Sequence, residues 1–309
     1  MVLVELLELS GEHPTLPIRE AIALLGSSEY SVEGRYLLGD FEHIERMKKA
    51  GMCRRVDRVI AITDESEIFG KVRELDVNGT FSVRWKGRKN LEKKVGAILA
   101  KKAKVDLEQP EHEIRILESE GNGNIYLCDK LFDVDRSSFE KRKPKFRSYS
   151  PPTSMHPRLA RCIVNLAGNG EGKTLLDPFC GSGGILIEAA LMRWRTIGSD
   201  IDSRAMAGCR RNLDQLGLKA ELHLSDISSI DLERVDVIVT DPPYGRSSTT
   251  SGKKTKELYQ TLLSMAERMA DTLVAIFPYP MEMEKGELIS VDPVRVHRSL
   301  TRYVHVIEF

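Results

Sequence analysis

Apolar positions in the second half of the chain alternate regularly between helix-like and strand-like patterns. A helical period over residues 158–167 precedes a series of strand-like runs, most of them separated by helical runs: KTLLDPF, RTIGSDI, AELHLSD, DVIVTDPP and TLVAIFP. Strands that alternate with helices pair in parallel through right-handed crossovers. The pattern therefore predicts an open, doubly wound α/β sheet, and the final run, RVHRSLTRYVHVIEF, predicts an antiparallel hairpin at its edge.

The first half reads as a mixture of α and β structure. Strand patterns occur in VDRVIAIT, GTFSVRWKG, EIRILES and GNIYLCDKLF, and a helical pattern occurs in NLEKKVGAILAKKAK. Between residues 137 and 153 the apolar period is lost, and charges, serines and paired prolines replace it. We therefore predict two folded parts joined by a linker near this break.

Composition narrows the class of protein. The 309 residues carry no net charge, but the segment from Arg84 to Lys104 holds nine cations and one acid, a local charge of +8. Five scattered cysteines without a CxxC pair predict neither a disulfide framework nor a zinc cluster. No apolar run approaches the roughly 18 residues that a membrane span needs, and the N terminus lacks a basic leader. The expectation is a cytoplasmic protein with no membrane partner.

Three predicted strands end in residues suited to a nucleoside ligand. The first runs into Asp177-Pro-Phe179-Cys-Gly181-Ser-Gly183-Gly, where glycines permit close approach of backbone to a ligand. The third glycine of a dinucleotide fingerprint is missing, since that position holds Leu186. The second strand ends in Asp200-Ile201, placing a carboxylate where ribose hydroxyls would lie. The third ends in Asp226-Ile227, an acceptor and an apolar side chain for adenine, although Asp226 alone reads as a helix cap.

The fourth strand runs into Asp241-Pro242-Pro243-Tyr244. Prolines remove amide donors, so the carboxylate of Asp241 and the carbonyl of Pro242 form an acceptor-rich corner. Such a corner suits the amino group of a base, and Tyr244 is placed to stack on that base. Taken alone, the tetrad reads as a turn. Beside the glycine turn and Asp200, it predicts methyl transfer to an exocyclic amino nitrogen, with Asp241, Pro242 and Tyr244 as catalytic residues.

At these motifs the chain resembles class I amino-group methyltransferases, because DPFCGSGG is similar to their motif I and DPPYG to their motif IV. DPPYGRSSTT, SMHPRLARCIVNLAG and VHRSLTRYVHVIEF further resemble the archaeal THUMP-containing tRNA guanosine-10 N2-methyltransferases. The resemblance implies S-adenosylmethionine as cofactor and tRNA as substrate. It implies that the methionine end of the cofactor lies near Gly181, Gly183, Ser154 and His156. Asp177 and Phe179 belong to the same expected cofactor site, which continues through Asp200, Ile201, Asp226 and Ile227.

The same resemblance implies a domain organisation. Residues 1–60 would form a ferredoxin-like part, 61–138 a THUMP RNA-binding domain, 139–153 a linker, and 154–309 a Rossmann-like methyltransferase domain. On a THUMP module the basic segment is expected to contact phosphates, whereas alone it reads as a solvated face. The expected RNA-binding residues are Arg84, Lys86, Lys93, Lys94, Lys101, Lys102 and Arg246, the last in a predicted mobile loop over residues 245–256.

Other functions stay open at this point. One is an enzyme of the same fold that methylates guanine N2 elsewhere in tRNA or rRNA, or adenine N6 in DNA. Another is a non-catalytic tRNA-binding protein. Related eukaryotic enzymes work with a small zinc-containing activator, which makes such a protein a candidate partner. The sequence decides neither the number of methyl groups added nor a role for His297 and Arg298.

Overall fold

The computed structural model describes residues 4–244, 252–282, 286–297 and 300–309, with the backbone alone at residues 252–254 and 297. The chain divides into two compact units. The first comprises the described residues up to Gly11 together with Leu25–Lys48 and Cys53–Asp135, and the second comprises Glu12–Leu24, Lys49–Met52 and the chain from Arg136 onward. No helix in these ranges is long and apolar enough to cross a membrane.

An eight-stranded sheet forms the first unit, in the order β2-β3-β1-β4-β8-β7-β5-β6. The elements of this part of the chain are β1 (Val4–Leu9), α1 (Leu16–Leu25), β2 (Ser31–Glu33), β3 (Tyr36–Gly39), β4 (Cys53–Thr63), α2 (Ile68–Glu74), β5 (Thr80–Trp85), α3 (Lys89–Leu99), β6 (Lys104–Val105), β7 (His112–Glu118) and β8 (Ile125–Asp133). Strand β5 runs parallel to β6 and β7, and the other pairs are antiparallel. The four predicted strands of this half are all present.

The core of the first unit follows from the alternation along β5. Phe81, Val83 and Trp85 are buried and share a cluster with Val95 and Leu99 of α3, because side chains two apart on a strand face the same side. Helix α3 ends five residues before the predicted limit at residue 104. The chain there turns back into β6, which pairs with β5, so strand pairing overrides the helical propensity of the lysine-rich tail.

The second unit is built on a seven-stranded sheet in the order β11-β10-β9-β12-β13-β15-β14. Its elements are α4 (Ser137–Lys141), α5 (Pro157–Leu166), β9 (Thr174–Asp177), α6 (Gly184–Leu191), β10 (Arg195–Asp200), α7 (Ser203–Gln215), β11 (Glu221–Leu224), β12 (Val237–Thr240), α8 (Gly252–Met269), β13 (Thr272–Phe277), β14 (Glu287–His297) and β15 (Leu300–Glu308). The first five strands in this order are parallel, and the last two form an antiparallel hairpin at the edge. The predicted doubly wound α/β fold with a terminal hairpin is confirmed.

Helices cover both faces of this sheet. Leu175 and Leu176 are neighbours on β9 but belong to different apolar clusters, one shared with α5, α6 and α7 and the other with α8. Successive side chains of a strand point to opposite faces, so the two clusters are the two layers of the core. The carboxyl ends of β9, β10, β11 and β12 consequently share one edge.

Part of the N-terminal sequence belongs to the second unit. The buried carboxylate of Glu20, on α1, accepts hydrogen bonds from the amides of Gly51 and Met52 and from Nδ2 of Asn165, each at 2.7 Å. Residue 60 lies inside β4, a strand of the first unit's sheet. The compact units therefore divide at other residues than 60 and 138. Helix α4 and a 3-10 turn at Pro144–Phe146 occupy the start of the expected linker.

Candidate active site

The turn after β9 depends on two glycines with positive φ. Gly181 has φ of +51° and Gly183 has φ of +79°, a region that residues with a Cβ adopt rarely. A Cβ on Gly183 would also lie 2.6 Å from Sγ of Cys209, on α7. The turn thus brings backbone to the carboxyl edge of the sheet and starts α6 there, as the sequence predicted.

The carboxylate of Asp200 anchors this turn to the next strand. Its Oδ2 accepts the amide of Gly181 at 2.9 Å, and its Oδ1 accepts the amide of Asp202 at 2.9 Å. Each oxygen keeps a second lone pair. Ile201, the next residue, has 72% of its surface exposed. A carboxylate with spare acceptor capacity beside an uncovered apolar side chain suits a ribose and an adenine ring.

Asp226 is a helix cap, which is the alternative role that the sequence analysis gave for it. It caps the short 3-10 helix Ile227–Ser229, where its Oδ1 accepts the amide and the hydroxyl of Ser228 at 2.9 and 2.6 Å. These bonds lower the pKa of the carboxyl. Ile227 is 7% exposed and packs into the apolar cluster of α8. The apolar surface left open at this edge is therefore on Ile201 rather than Ile227.

Ser154 and His156 lie before α5, and Ser154 reaches the glycine turn. Oγ of Ser154 is 3.2 Å from Oγ of Ser182. His156 is the N-cap of α5, and its Nδ1 accepts the amide of Arg158 at 3.2 Å. Burial lowers the pKa of His156, which agrees with a neutral ring accepting that bond. Phe179 is half-buried against the cluster of α8.

Asp177, an expected cofactor-binding residue, is buried and hydrogen-bonded to its own sheet and turn. It is 1% exposed, and its Oδ1 accepts the hydroxyl of Thr240 at 2.7 Å and the amide of Phe179 at 3.2 Å. Burial raises the pKa of Asp177 to about 7. Thr240 is the last residue of β12, so this bond ties the glycine turn to the strand that leads into Asp241.

Asp241 and Tyr244 contact each other at the end of β12. The hydroxyl of Tyr244 lies 2.9 and 3.1 Å from the two carboxylate oxygens of Asp241. The carbonyl of Pro243 accepts the hydroxyl of Tyr259, on α8, at 3.2 Å, while Pro242 is buried. Burial raises the pKa of Asp241 against the lowering effects of Arg302 and the Tyr244 hydrogen bond. The strand ends thus place the acceptor group of Asp241 on the same edge as the glycine turn.

Arg302 is the site residue that the sequence analysis missed. It lies on β15, where its guanidinium forms a salt bridge with Asp241 at 2.9 Å and stands 5.1 Å from the ring centroid of Tyr244. The signal was topological: β15 runs antiparallel to β13 and pairs Tyr303 with Phe277, the last residue of β13. The first residues of β15 therefore lie at the carboxyl edge, beside the tetrad.

The expected RNA-binding residues of the first unit are exposed: Arg84, Lys86, Lys93, Lys94, Lys101 and Lys102. Two have intramolecular partners. Nζ of Lys102 donates to the carbonyls of Arg73 and Leu75 at 2.6 and 2.9 Å, and Arg84 donates to the carbonyl of Val83 at 3.0 Å. Lys102 thus holds the end of α2.

Several expected features lie outside the described residues: Arg246, most of the predicted mobile loop, Arg298 and the side chain of His297. The part of that loop from Gly252 to Lys256 is helical, because α8 begins at Gly252.

The chain is similar to known methyltransferases. The model of the UPF0020 family, described as "RMKL-like, methyltransferase domain", matches residues 144–298. The fold is similar to the crystal structure of TrmN from Thermus thermophilus, with a TM-score of 0.56, 19% identity and 99% of each chain covered. The chain contains a methyltransferase domain and has the class I methyltransferase fold.

Two archaeal relatives define the family further. A tRNA (guanine(10)-N2)-dimethyltransferase of Methanothermobacter thermautotrophicus is 36% identical over 97% of this chain and 98% of its own length. The enzyme of the same name from Pyrococcus abyssi is 30% identical over the same shares of both chains. The chain belongs to the tRNA (guanine(10)-N2)-dimethyltransferase family.

Proposed function

We propose that this protein transfers methyl groups from S-adenosylmethionine to N2 of guanosine 10 in tRNA, and that it adds two. The observation that carries the proposal is the contact of Asp241 with Tyr244 and Arg302 at the end of β12, on the same sheet edge as the glycine turn. The names of the full-length relatives supply the base, its position and the dimethyl product.

The residues of this edge fit the cofactor. Gly181 and Gly183 keep side chains out of the turn, and a Cβ on Gly181 would meet no atom of the described residues closer than 3.9 Å. Space for a ligand therefore remains above the turn. The spare lone pairs of Asp200 suit the two ribose hydroxyls, and exposed Ile201 offers an apolar surface that an adenine ring would cover. Ser154 and Ser182 add hydroxyl groups near the expected methionine end.

The reaction needs an amino group held in one orientation. S-adenosylmethionine supplies an electrophilic methyl group on a sulfonium. The lone pair of guanine N2 is delocalised into the ring, so the amino group is a poor nucleophile until its hydrogens are held. In our proposal Asp241 and the carbonyl of Pro242 accept these hydrogens and turn the lone pair toward the methyl group. Asp241 then accepts the proton that the nitrogen releases as it becomes methylated.

The first unit supplies tRNA affinity in this proposal. The exposed lysines of α3, Lys93 and Lys94, together with Lys86 and Lys101, would contact phosphates and position the tRNA without reading its sequence. We also propose that residues 61–138 are a THUMP domain. The assignment of the preceding residues as ferredoxin-like and the cytoplasmic location stay predictions. Guanosine 10 would have to leave its stack to reach Asp241.

The function is tested by methyl transfer from radiolabelled S-adenosylmethionine to two unmodified tRNA transcripts, one with guanosine and one with adenosine at position 10. We expect N2,N2-dimethylguanosine in the first transcript and no incorporation in the second, and none with Asp241→Ala. Labelling of both transcripts would place the target elsewhere in the tRNA. Binding of S-adenosylhomocysteine without any transfer would indicate a missing protein, for which a small zinc-containing activator is the first candidate. Tight tRNA binding without cofactor binding would indicate a non-catalytic protein.

The role of the first unit is tested by charge reversal. Lys93→Glu with Lys94→Glu should weaken tRNA binding by about tenfold or more at ~0.1 M salt and reduce the slope of log affinity against log salt by about 2. The affinity for S-adenosylhomocysteine should not change. Arg193→Glu with Arg195→Glu is the matched control, because these exposed arginines lie at the amino end of β10, opposite the carboxyl edge. Equal losses in both double variants would mean that net charge alone matters.

A further inference from the structure

Arg302 reaches the acceptor corner from a distant part of the chain. Its side chain is 14% exposed, and its Nη1 donates to Oδ2 and Oδ1 of Asp241 at 2.9 and 3.3 Å. The same nitrogen contacts the hydroxyl of Tyr244, over whose ring the guanidinium stands. One side chain therefore contacts both polar side chains of the tetrad.

We propose that Arg302 is a positioning residue for methyl transfer, which holds Asp241 charged and in register with Tyr244. The inference rests on the proposed function, since it assigns Arg302 a task in that reaction. Arg302 acts through Asp241 and not on the base itself.

The charges around Asp241 make such a cation necessary. Among the residues that the structure describes, the titratable groups that face Asp241 are Asp177 from β9, Tyr244 from its own loop, Tyr259 from α8 and Arg302 from β15. Of these four, only Arg302 is positive. Burial favours a protonated Asp241, and a protonated carboxyl accepts no further proton. The guanidinium opposes this effect at a distance of 2.9 Å.

The geometry leaves the corner usable while Arg302 stays in place. A carboxylate has about four acceptor positions. Tyr244 has a single hydroxyl hydrogen and Nη1 of Arg302 has two, so at least one position on Asp241 remains for an amino hydrogen. The stacked guanidinium also restrains the ring of Tyr244. Arg302 thus fixes both partners without filling the last acceptor position.

The test compares Arg302→Met and Arg302→Lys with Arg295→Met, a control on the neighbouring strand β14 where Arg295 is exposed. Single-turnover methyl transfer is measured from pH 5.5 to pH 9. In Arg302→Met the acidic limb of the rate profile should move up by about one pH unit or more, with a rate at neutral pH roughly tenfold to a hundredfold lower. In Arg302→Lys the acidic limb should return toward its wild-type position, because lysine keeps the charge. The rate should stay below that of the wild type, because lysine lacks the planar group that stacks on Tyr244.

Two further measurements separate the possible failures. Affinity for S-adenosylhomocysteine should stay within about twofold in every variant, which reports an intact fold. Titration of the Asp241 carboxyl carbon by NMR, assigned with Asp241→Asn, requires no activity and should show a higher pKa in Arg302→Met than in the wild type. An unchanged pKa, or a profile of Arg302→Met equal to that of Arg295→Met, overturns the inference.

If Arg302→Met does not fold, Arg302→Lys decides: an unchanged limb with a reduced rate supports the role, and a wild-type rate overturns it. A wild-type protein that transfers no methyl group contradicts the proposed function instead, and the NMR titration still decides the role of Arg302.

Discussion

Asp177 and Asp241 stand at the ends of two neighbouring parallel strands, and the charge of their hydrogen-bond partners differs. Burial raises the pKa of both carboxyls, that of Asp177 to about 7. Asp177 accepts from neutral donors, the hydroxyl of Thr240 and an amide, whereas Asp241 is paired with a guanidinium. The same residue type at the same edge can thus carry a proton near neutral pH or be held charged, depending on whether a cation reaches it.

The difference gives the two carboxyls different uses. A carboxyl that is partly protonated at neutral pH is a poor proton acceptor, but it holds two strand ends together through its hydrogen bonds. A carboxyl held charged by Arg302 can accept a proton from a methylated nitrogen. Aspartate to asparagine substitutions measure this difference directly, because asparagine resembles the protonated carboxyl in shape and cannot ionise.

Asp177→Asn should have the largest effect on stability. The pKa of Asp177 is about 7 in the folded protein against an ordinary value of 3.8, so between about pH 4 and pH 7 the unfolded chain releases a proton that the folded protein retains. The wild type therefore loses stability as pH rises through this window. At pH 8 Asp177→Asn should be more stable than the wild type by about 2–4 kcal/mol, with a smaller difference at pH 5.

The corresponding change at the second carboxyl, Asp241→Asn, acts on a group that is paired with a guanidinium. Asp241→Asn should instead lose about 1–3 kcal/mol at pH 8, because it leaves the guanidinium of Arg302, which is 14% exposed, without its carboxylate partner, and it should abolish methyl transfer. Urea unfolding of the three proteins at both pH values measures the free energies. A larger gain at Asp241 than at Asp177 would contradict the idea that Arg302 is the effective counter-charge.

The sequence predicted this edge of the sheet well, for a physical reason. Strand-to-helix turns with Gly181 and Gly183, and the Asp241–Tyr244 segment, are local: the backbone geometry that gives them their role is set by their own residues. Arg302 could not be found in this way, because its contact with Asp241 requires β15 to enter the sheet antiparallel to β13. Pairing between distant strands decides which charges meet.

The N-terminal strands were missed because buried charges hid their pattern. Glu5 and Glu8 on β1 are 5% and 8% exposed, so the strand does not show the usual alternation of apolar and polar residues. Glu5 accepts the amide of Phe41 at 3.2 Å, and Glu8 pairs with Arg115 at 3.1 Å. The partners lie 36 and 107 residues away, and no local pattern could reveal them.

The smallest effect concerns the hydroxyl that Thr240 donates to Asp177. Thr240→Val removes this donor, and a hydrogen bond to a charged acceptor is worth more than one to a neutral acceptor. The loss of stability should be about 1–2 kcal/mol at pH 8, where Asp177 is largely ionised, and about half of that at pH 5. The same urea experiments measure it.

Thr196→Val is the matched control, because Thr196 is also buried on a strand of this sheet and its hydroxyl donates to a carbonyl, that of Lys219, at 3.2 Å. A carbonyl does not titrate, so the loss in Thr196→Val should be the same at both pH values. If Thr240→Val is equally independent of pH, Asp177 does not change its charge between pH 5 and pH 8. The contrast between the two carboxyls would then have to come from their positions rather than from their protonation.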